Sequence, residues 1–128
     1  MSLLNHTSRR GFTLVEVICV IVLMAILSGL TYTYFRDAIP VAQDKQAISA
    51  ANTINGAKKA YELRVSTAAA TWAAASSDAD RFLLIRDRIS FAESMTLAQF
   101  TPSGYTFNLG STITARVTIT GPSGAVTY

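Results

Sequence analysis

Residues 8–35 read SRRGFTLVEVICVIVLMAILSGLTYTYF: two arginines, a glycine, a phenylalanine, then an apolar run interrupted by one acid, Glu16. The run from Phe12 to Phe35 is 24 residues long. At about 1.5 Å per residue a helix of that length reaches roughly 36 Å, enough to cross a hydrocarbon core of about 30 Å with some tilt. Leu14, Val15, Val17, Ile18, Val20 to Met24, Ile26, Leu27 and Leu30 leave no polar stripe wide enough for a surface helix. The segment reads as a membrane helix, and Glu16 as its anomaly. A charge inside hydrocarbon costs on the order of 2.5–3.5 kcal/mol by insertion scales, and such residues are functional candidates by default.

The order of these parts resembles the N-terminus of type IV pilins and of the pseudopilins of type II secretion systems. Proteins of that family carry a short basic leader ending in glycine, cut on the cytoplasmic side before a phenylalanine whose new amine is then methylated. Here Gly11 matches the cut, Phe12 the new, N-methylated terminus, and Glu16 the glutamate four residues further on. The resemblance is specific over residues 8–35 and architectural beyond them.

Elementary electrostatics gives Glu16 a role of its own. Residues four apart share a helix face, so Glu16 lies one turn from the amine that cleavage before Phe12 would create. A buried carboxylate finds a cation or takes a proton. The cation is the amine of its own chain or that of a neighbour; a third reading has the side chain snorkelling to the cytoplasmic headgroups. The resemblance implies the second, with Glu16 setting the axial stagger between subunits. It also implies that Leu14, Val17, Ile18 and Ile21 exchange lipid for one another in a filament.

Three rival readings explain less. A secretory signal ends in a small-residue A-x-A site after an apolar core of about 7–15 residues, whereas this core is longer and ends in Ile26-Leu27-Ser28-Gly29. Ser8-Arg9-Arg10 suggests a twin-arginine signal, but the core is too hydrophobic and holds an acid. A plain anchor accounts for neither the Gly11-Phe12 junction nor Glu16.

Charge sets the topology. His6, Arg9 and Arg10 precede the span, and basic residues close to a transmembrane end stay cytoplasmic. Residues 36–128 are then exported. The formal net charge of +3 falls once Arg9 and Arg10 leave with the leader, nine basic residues remaining against eight acidic ones. That balance gives no case for nucleic-acid binding. The single cysteine, Cys19, lies in the span, so the exported part has no disulfide.

Beyond the span the pattern turns amphipathic. Ile48, Ala51, Ile54, Ala57, Tyr61 and Val65 recur at helical spacing, with Asp44, Lys45, Asn52, Asn55, Lys59, Glu62 and Arg64 mostly on the other faces. This stripe is expected to pack on a sheet within the same subunit. Pro40 predicts a kink or break near 36–40, or the point where the membrane helix ends and a second begins. Many pilins carry a proline about two turns earlier, where this chain has Thr33. Ser66–Ser77 reads as a frayed helix end plus loop, with Trp72 packing. Ser77 before Asp78 and Asp80 marks a helix start, continuing over 78–90 with Phe82, Ile85 and Ile89 inward and Arg81, Arg86, Asp87 and Arg88 on a solvated face. In the C-terminal third, Tyr105, Phe107 and Leu109 alternate with polar residues, and so do Ile113, Ala115, Val117 and Ile119. Gly110-Ser111 reads as a two-residue hairpin turn between them. Gly121 to Gly124 turns the chain into a last strand over 125–128, and Met95 to Phe100 is a further candidate strand.

Catalytic chemistry has little to draw on. The only histidine, His6, leaves with the leader, so neither a nucleophilic triad nor a His-rich zinc site can form in the exported part. Residues 94–128 contain no Asp or Glu, which leaves no counterpart of the calcium site of the major secretion pseudopilins. The disulfide-closed C-terminal loop of many adhesive pilins is missing as well. No cofactor and no enzyme activity is expected.

The expected architecture is α+β and pilin-like: a long N-terminal helix, kinked near Pro40, whose outer half packs on a small antiparallel sheet of three or four strands. The organisation is a leader (1–11, removed), a transmembrane and assembly helix (12–35), its amphipathic continuation (36–65) and a small exported domain (66–128). The resemblance implies a structural subunit of a type IV pilus or type II secretion pseudopilus, of a minor or divergent kind. It would be held in the bacterial inner membrane with its N-terminus cytoplasmic and its C-terminal domain periplasmic, before joining a filament in the periplasm or on the surface. Other subunits, a prepilin peptidase and methyltransferase, an inner-membrane assembly platform and an assembly ATPase are the implied partners. The alternative is a monomeric, single-pass, membrane-anchored periplasmic binding module.

Overall fold

The computed structural model describes residues 11–128, so the leader expected over 1–11 lies outside the described residues except for Gly11. Helix α1 (Leu14–Arg64) is followed by α2 (Ala68–Ala74), α3 (Asp78–Ile85), α4 (Leu97–Phe100) and strands β1 (Thr106–Asn108), β2 (Thr118–Gly121) and β3 (Gly124–Val126). The three strands form one antiparallel sheet in the order β1-β2-β3. This is the long-helix, small-sheet α+β architecture that the sequence predicts. The chain divides into two units, up to Ile39 and from Pro40 onward.

In the first unit every described residue is exposed. α1 is long and apolar enough to cross a membrane, and the apolar window buries nothing against the protein. Ser28 Oγ donates to Met24 O and Thr31 Oγ1 to Leu27 O, both at 2.7 Å, so these hydroxyls are satisfied within the helix itself. Pro40 lies inside α1, and the helix does not end there. Proline removes one backbone donor and crowds the carbonyl of Arg36. Both residues are exposed, where an unpaired carbonyl is not sealed from solvent.

The second unit holds the core. Here α1 buries Ala47, Ala51, Ile54, Ala57, Lys58 and Tyr61. The stripe expected from sequence is largely the one observed, with Ile48 and Val65 half-buried at its margin. It packs with Trp72, Phe82, Ile85, Ile89, Phe107, Leu109, Val117 and Ile119 in one cluster. Burying a side chain such as Ile54 or Phe82 contributes about 1.5–3 kcal/mol each, which makes this cluster the main source of stability in the unit.

Ser66–Ser77 contains a helix of its own, α2, which its alanines favour and which seats the fully buried Trp72. Ser77 caps α3 as expected, its Oγ accepting from Asp80 N at 3.2 Å. The Asp80 carboxylate in turn accepts from Ser76 Oγ and Ser77 Oγ, which hold it below the usual carboxylate range. α3 gives way at Arg86–Arg88 to a 3-10 turn, short of the expected end at 90. Arg81 is not part of a solvated face: it is half-buried, pairs with Asp78 at 2.8 Å and donates to Ala75 O at 3.1 Å.

Two expectations for the C-terminal third are corrected. The candidate strand 95–100 is a single helical turn, α4, fixed by a capping box in which Thr96 and Gln99 satisfy each other's backbone amides. The hairpin does not turn at Gly110-Ser111 either. β1 and β2 pair as Thr106–Thr120, Phe107–Ile119 and Asn108–Thr118, and residues 109–117 form a loop. Parity explains the difference. A two-residue turn at 110–111 would set Phe107 opposite Thr114, an inward residue against an outward one, and put the two apolar faces on opposite sides of the sheet. The observed register pairs odd with odd and keeps Phe107 and Ile119 on the core side.

Candidate functional site: the N-terminal end of the long helix

Gly11, Phe12 and Thr13 precede α1 in a non-helical conformation. Phe12 is 85% exposed. Helix α1 starts at Leu14 because Thr13 and Glu16 close a capping box: Thr13 N donates to Glu16 Oε2 at 2.9 Å, and Glu16 N donates to Thr13 Oγ1 at 3.3 Å. The first-turn carboxylate also complements the positive end of the helix dipole. Glu16 therefore has a partner within its own chain that the sequence reading did not weigh, although Thr13-x-x-Glu16 is a recognisable capping-box pattern. Among the described residues Oε1 accepts no hydrogen bond, so one carboxylate oxygen is occupied and the other is open.

Leu14, Val17, Ile18 and Ile21 are all exposed and recur at spacings of three and four, which places them on one stripe. Glu16 is not on that stripe. At roughly 100° per residue it lies on the far side of the helix, with Val20, Leu23 and Leu27. The expected assembly residues thus occupy two faces of a helix that is apolar all round, the pattern of a helix surrounded on every side by apolar material.

A second constellation, in the unit from Pro40 onward, was not foreseen. The Lys58 side chain is buried, with the residue 2% exposed. Its ammonium donates to Leu109 O at 2.7 Å and to Ala115 O, and sits 4.8 Å from the centroid of the Trp72 ring. Trp72 Nε1 donates to Gly110 O at 3.0 Å, while Asn55 Oδ1 accepts from Val117 N at 3.0 Å. Burial lowers the Lys58 pKa from 10.5 to about 8, partly opposed by Asp78. Near the start of the unit, Tyr105 OH donates to Asp44 Oδ1 at 2.7 Å, which raises the tyrosine pKa and ties β1 to α1. A lysine one position from the apolar stripe reads as solvent-facing, although it stands seven residues after Ala51, four after Ile54 and three before Tyr61, all spacings that share a helix face.

Residues 6–32 match the family model described as the prokaryotic N-terminal methylation motif, the leader signature of type IV pilins and pseudopilins. The match takes in Gly11, Phe12, the Thr13–Glu16 box and α1 as far as Tyr32, and ends before the folded unit that begins at Pro40. No curated protein and no solved structure matches the chain.

Proposed function

We propose that the chain is a prepilin-type structural subunit, cut between Gly11 and Phe12, methylated on the Phe12 amine and polymerised through α1 into a type IV pilus or type II secretion pseudopilus. Before assembly it is stored as a single-pass protein of the bacterial inner membrane, leader in the cytoplasm and the unit from Pro40 onward in the periplasm. A prepilin peptidase and methyltransferase, an assembly platform and further subunits are its partners. The observation that carries this reading is the junction itself: an exposed, non-helical Gly11-Phe12 directly before a capped apolar helix whose first turn holds an acid. Leader removal would place a new ammonium beside the first turn of α1 in each subunit. Among the described residues Oε1 of Glu16 has no partner, so it can accept such an ammonium from a neighbour while Oε2 keeps its hydrogen bond to Thr13 N. The apolar faces carrying Leu14, Val17, Ile18 and Ile21, and Val20 and Leu23, then replace lipid with neighbouring helices. Shearing cells that carry Glu16→Ala tests this. The variant is expected to lose its leader normally and to be missing from the filament fraction. Incorporation at the native level would contradict the role given to Glu16.

A further inference from the structure

The loop 109–117 keeps the in-and-out alternation of a strand although it is not one. Leu109, Ile113 and Val117 are buried and Ala115 half-buried, while Thr112, Thr114 and Arg116 are exposed. A β-branched, alternating segment of this kind is competent to pair. Besides a two-residue slip that would set Phe107 opposite Val117, two registers with β1 keep every odd-numbered apolar residue on the core side. One is observed, with Thr106 opposite Thr120 and Phe107 opposite Ile119. The other slides the partner strand by four residues: Leu109 faces Ile113, Phe107 faces Ala115, and Thr106 faces Arg116, with Gly110-Ser111-Thr112 as the turn. Gly110 already has the positive φ, +76°, that a tight connection uses.

The second register has clear advantages. It pairs more residues, and it closes three residues instead of nine, which favours it by roughly fivefold through loop entropy alone. The observed fold must contain something that opposes it. Lys58 is the group placed to do so. Its ammonium occupies the carbonyls of Leu109 and Ala115, both of which lie in the segment that the longer hairpin would recruit. Among the described residues no carboxylate lies within ion-pairing distance of it. A buried cation without a counter-anion needs carbonyl dipoles and an aromatic face in place of water, and Leu109, Ala115 and Trp72 supply them. Pulling 109–117 into the sheet would take the two carbonyls away and strand the charge.

We propose that Lys58 selects the register of the β1–β2 hairpin, and that the sequence stores a second, longer hairpin four residues out of step. Trp72 and Asn55 hold Gly110 and Val117, but neither touches the two carbonyls that the ammonium holds. Replacing Lys58 by methionine keeps an unbranched side chain, one atom shorter, and removes the charge and its donors. Leu109 O and Ala115 O then lose their partner in the loop, and the cheapest replacement for a buried carbonyl is the strand ladder.

Disulfide trapping in the full chain, in detergent and with Cys19→Ala throughout, reads the register directly. Thr106→Cys with Thr120→Cys reports the observed pairing, and Thr106→Cys with Arg116→Cys the longer hairpin. With Lys58 present only the first pair is expected to oxidise. With Lys58→Met the preference is expected to reverse by at least about tenfold, the scale set by losing one or two charge-assisted hydrogen bonds. Trp72→Phe, which removes the hydrogen bond to Gly110 O and keeps an aromatic ring beside the ammonium, is expected to leave the first pair favoured. The proposal is overturned if Lys58→Met still cross-links 106 to 120. It is equally overturned if Lys58→Met unfolds and traps neither pair, because then no second hairpin exists to be reached, or if Trp72→Phe alone reverses the preference.

Discussion

The Lys58 ammonium donates to the carbonyl oxygen of Leu109 at 2.7 Å, joining residues 51 positions apart and closing the loop between β1 and β2 onto the long helix. This bond makes a charged side chain part of the core, so the stability of the unit from Pro40 onward depends on pH in a defined direction. The unfolded chain keeps the lysine protonated up to its ordinary value of 10.5, whereas the folded chain releases that proton near 8. Between those values the unfolded state binds more protons, so stability rises with pH, by up to about 1.4 kcal/mol per unit. The contribution is fully present above 10.5 and lost as pH falls through 8. Urea unfolding from pH 7.5 to 9.5 is expected to show a gain of about 1–2 kcal/mol that Lys58→Met abolishes. Tyr105 acts in the opposite sense at higher pH, since the folded chain holds its phenolic proton longer than the unfolded one does. A flat profile from 7.5 to 9.5 would contradict the burial of the charged amine.

Gly110 has φ +76°, and a Cβ at this position would stand 2.8 Å from the Cβ of Ala115. Gly110→Ala is expected to cost about 1–3 kcal/mol, from the disfavoured backbone region and from pushing the loop away from its anchors. Gly56, exposed on α1 with open space where a Cβ would go, supplies the contrast. Gly56→Ala is expected to stabilise by about 0.5–1 kcal/mol. Paired urea denaturation curves measure both.

Substitutions at Thr13 and Glu16 separate the two roles that Glu16 combines, helix cap and anion. Glu16→Gln keeps a side-chain acceptor for Thr13 N and removes the charge; Thr13→Ala keeps the charge and removes half of the capping box. Losing a cap costs about 1 kcal/mol of helix stability. Thr13→Ala is therefore expected to fray the first turn, seen as faster amide exchange at Val15 and Glu16, while filaments still form. Glu16→Gln is expected to leave exchange close to native and to abolish incorporation. The opposite pairing of outcomes would mean that Glu16 matters as a cap and not as an anion.

Much of the fold was legible because two periodicities are strong in this chain. The Ala51–Tyr61 stripe and the odd-numbered apolar residues from Tyr105 to Ile119 supply more than half of the core, and Phe82, Ile85 and Ile89 follow from the helix expected over 78–90. The same alternation held the parity rule that excludes a turn at Gly110-Ser111, since inward residues must face inward residues. What the pattern hid was the loop itself: alternation reports which side a residue faces, not whether its backbone is paired. Lys58 was invisible because its burial depends on carbonyls 51 and 57 residues away. α4 escaped because one helical turn has no period, although Thr96-x-x-Gln99 signals its cap. At the candidate site, the motif from Gly11 to Glu16 is plain in the sequence, and so is the Thr13-x-x-Glu16 spacing that closes its capping box.

The proposed filament role rests on a precursor that is delivered to the membrane and matures at one peptide bond. Intact-mass and N-terminal fragmentation spectra of protein purified from its native membrane examine that bond directly. The expected chain begins at Phe12 with a methylated amine and lacks residues 1–11. A chain that retains Met1, or one cut beyond Ser28, would contradict it.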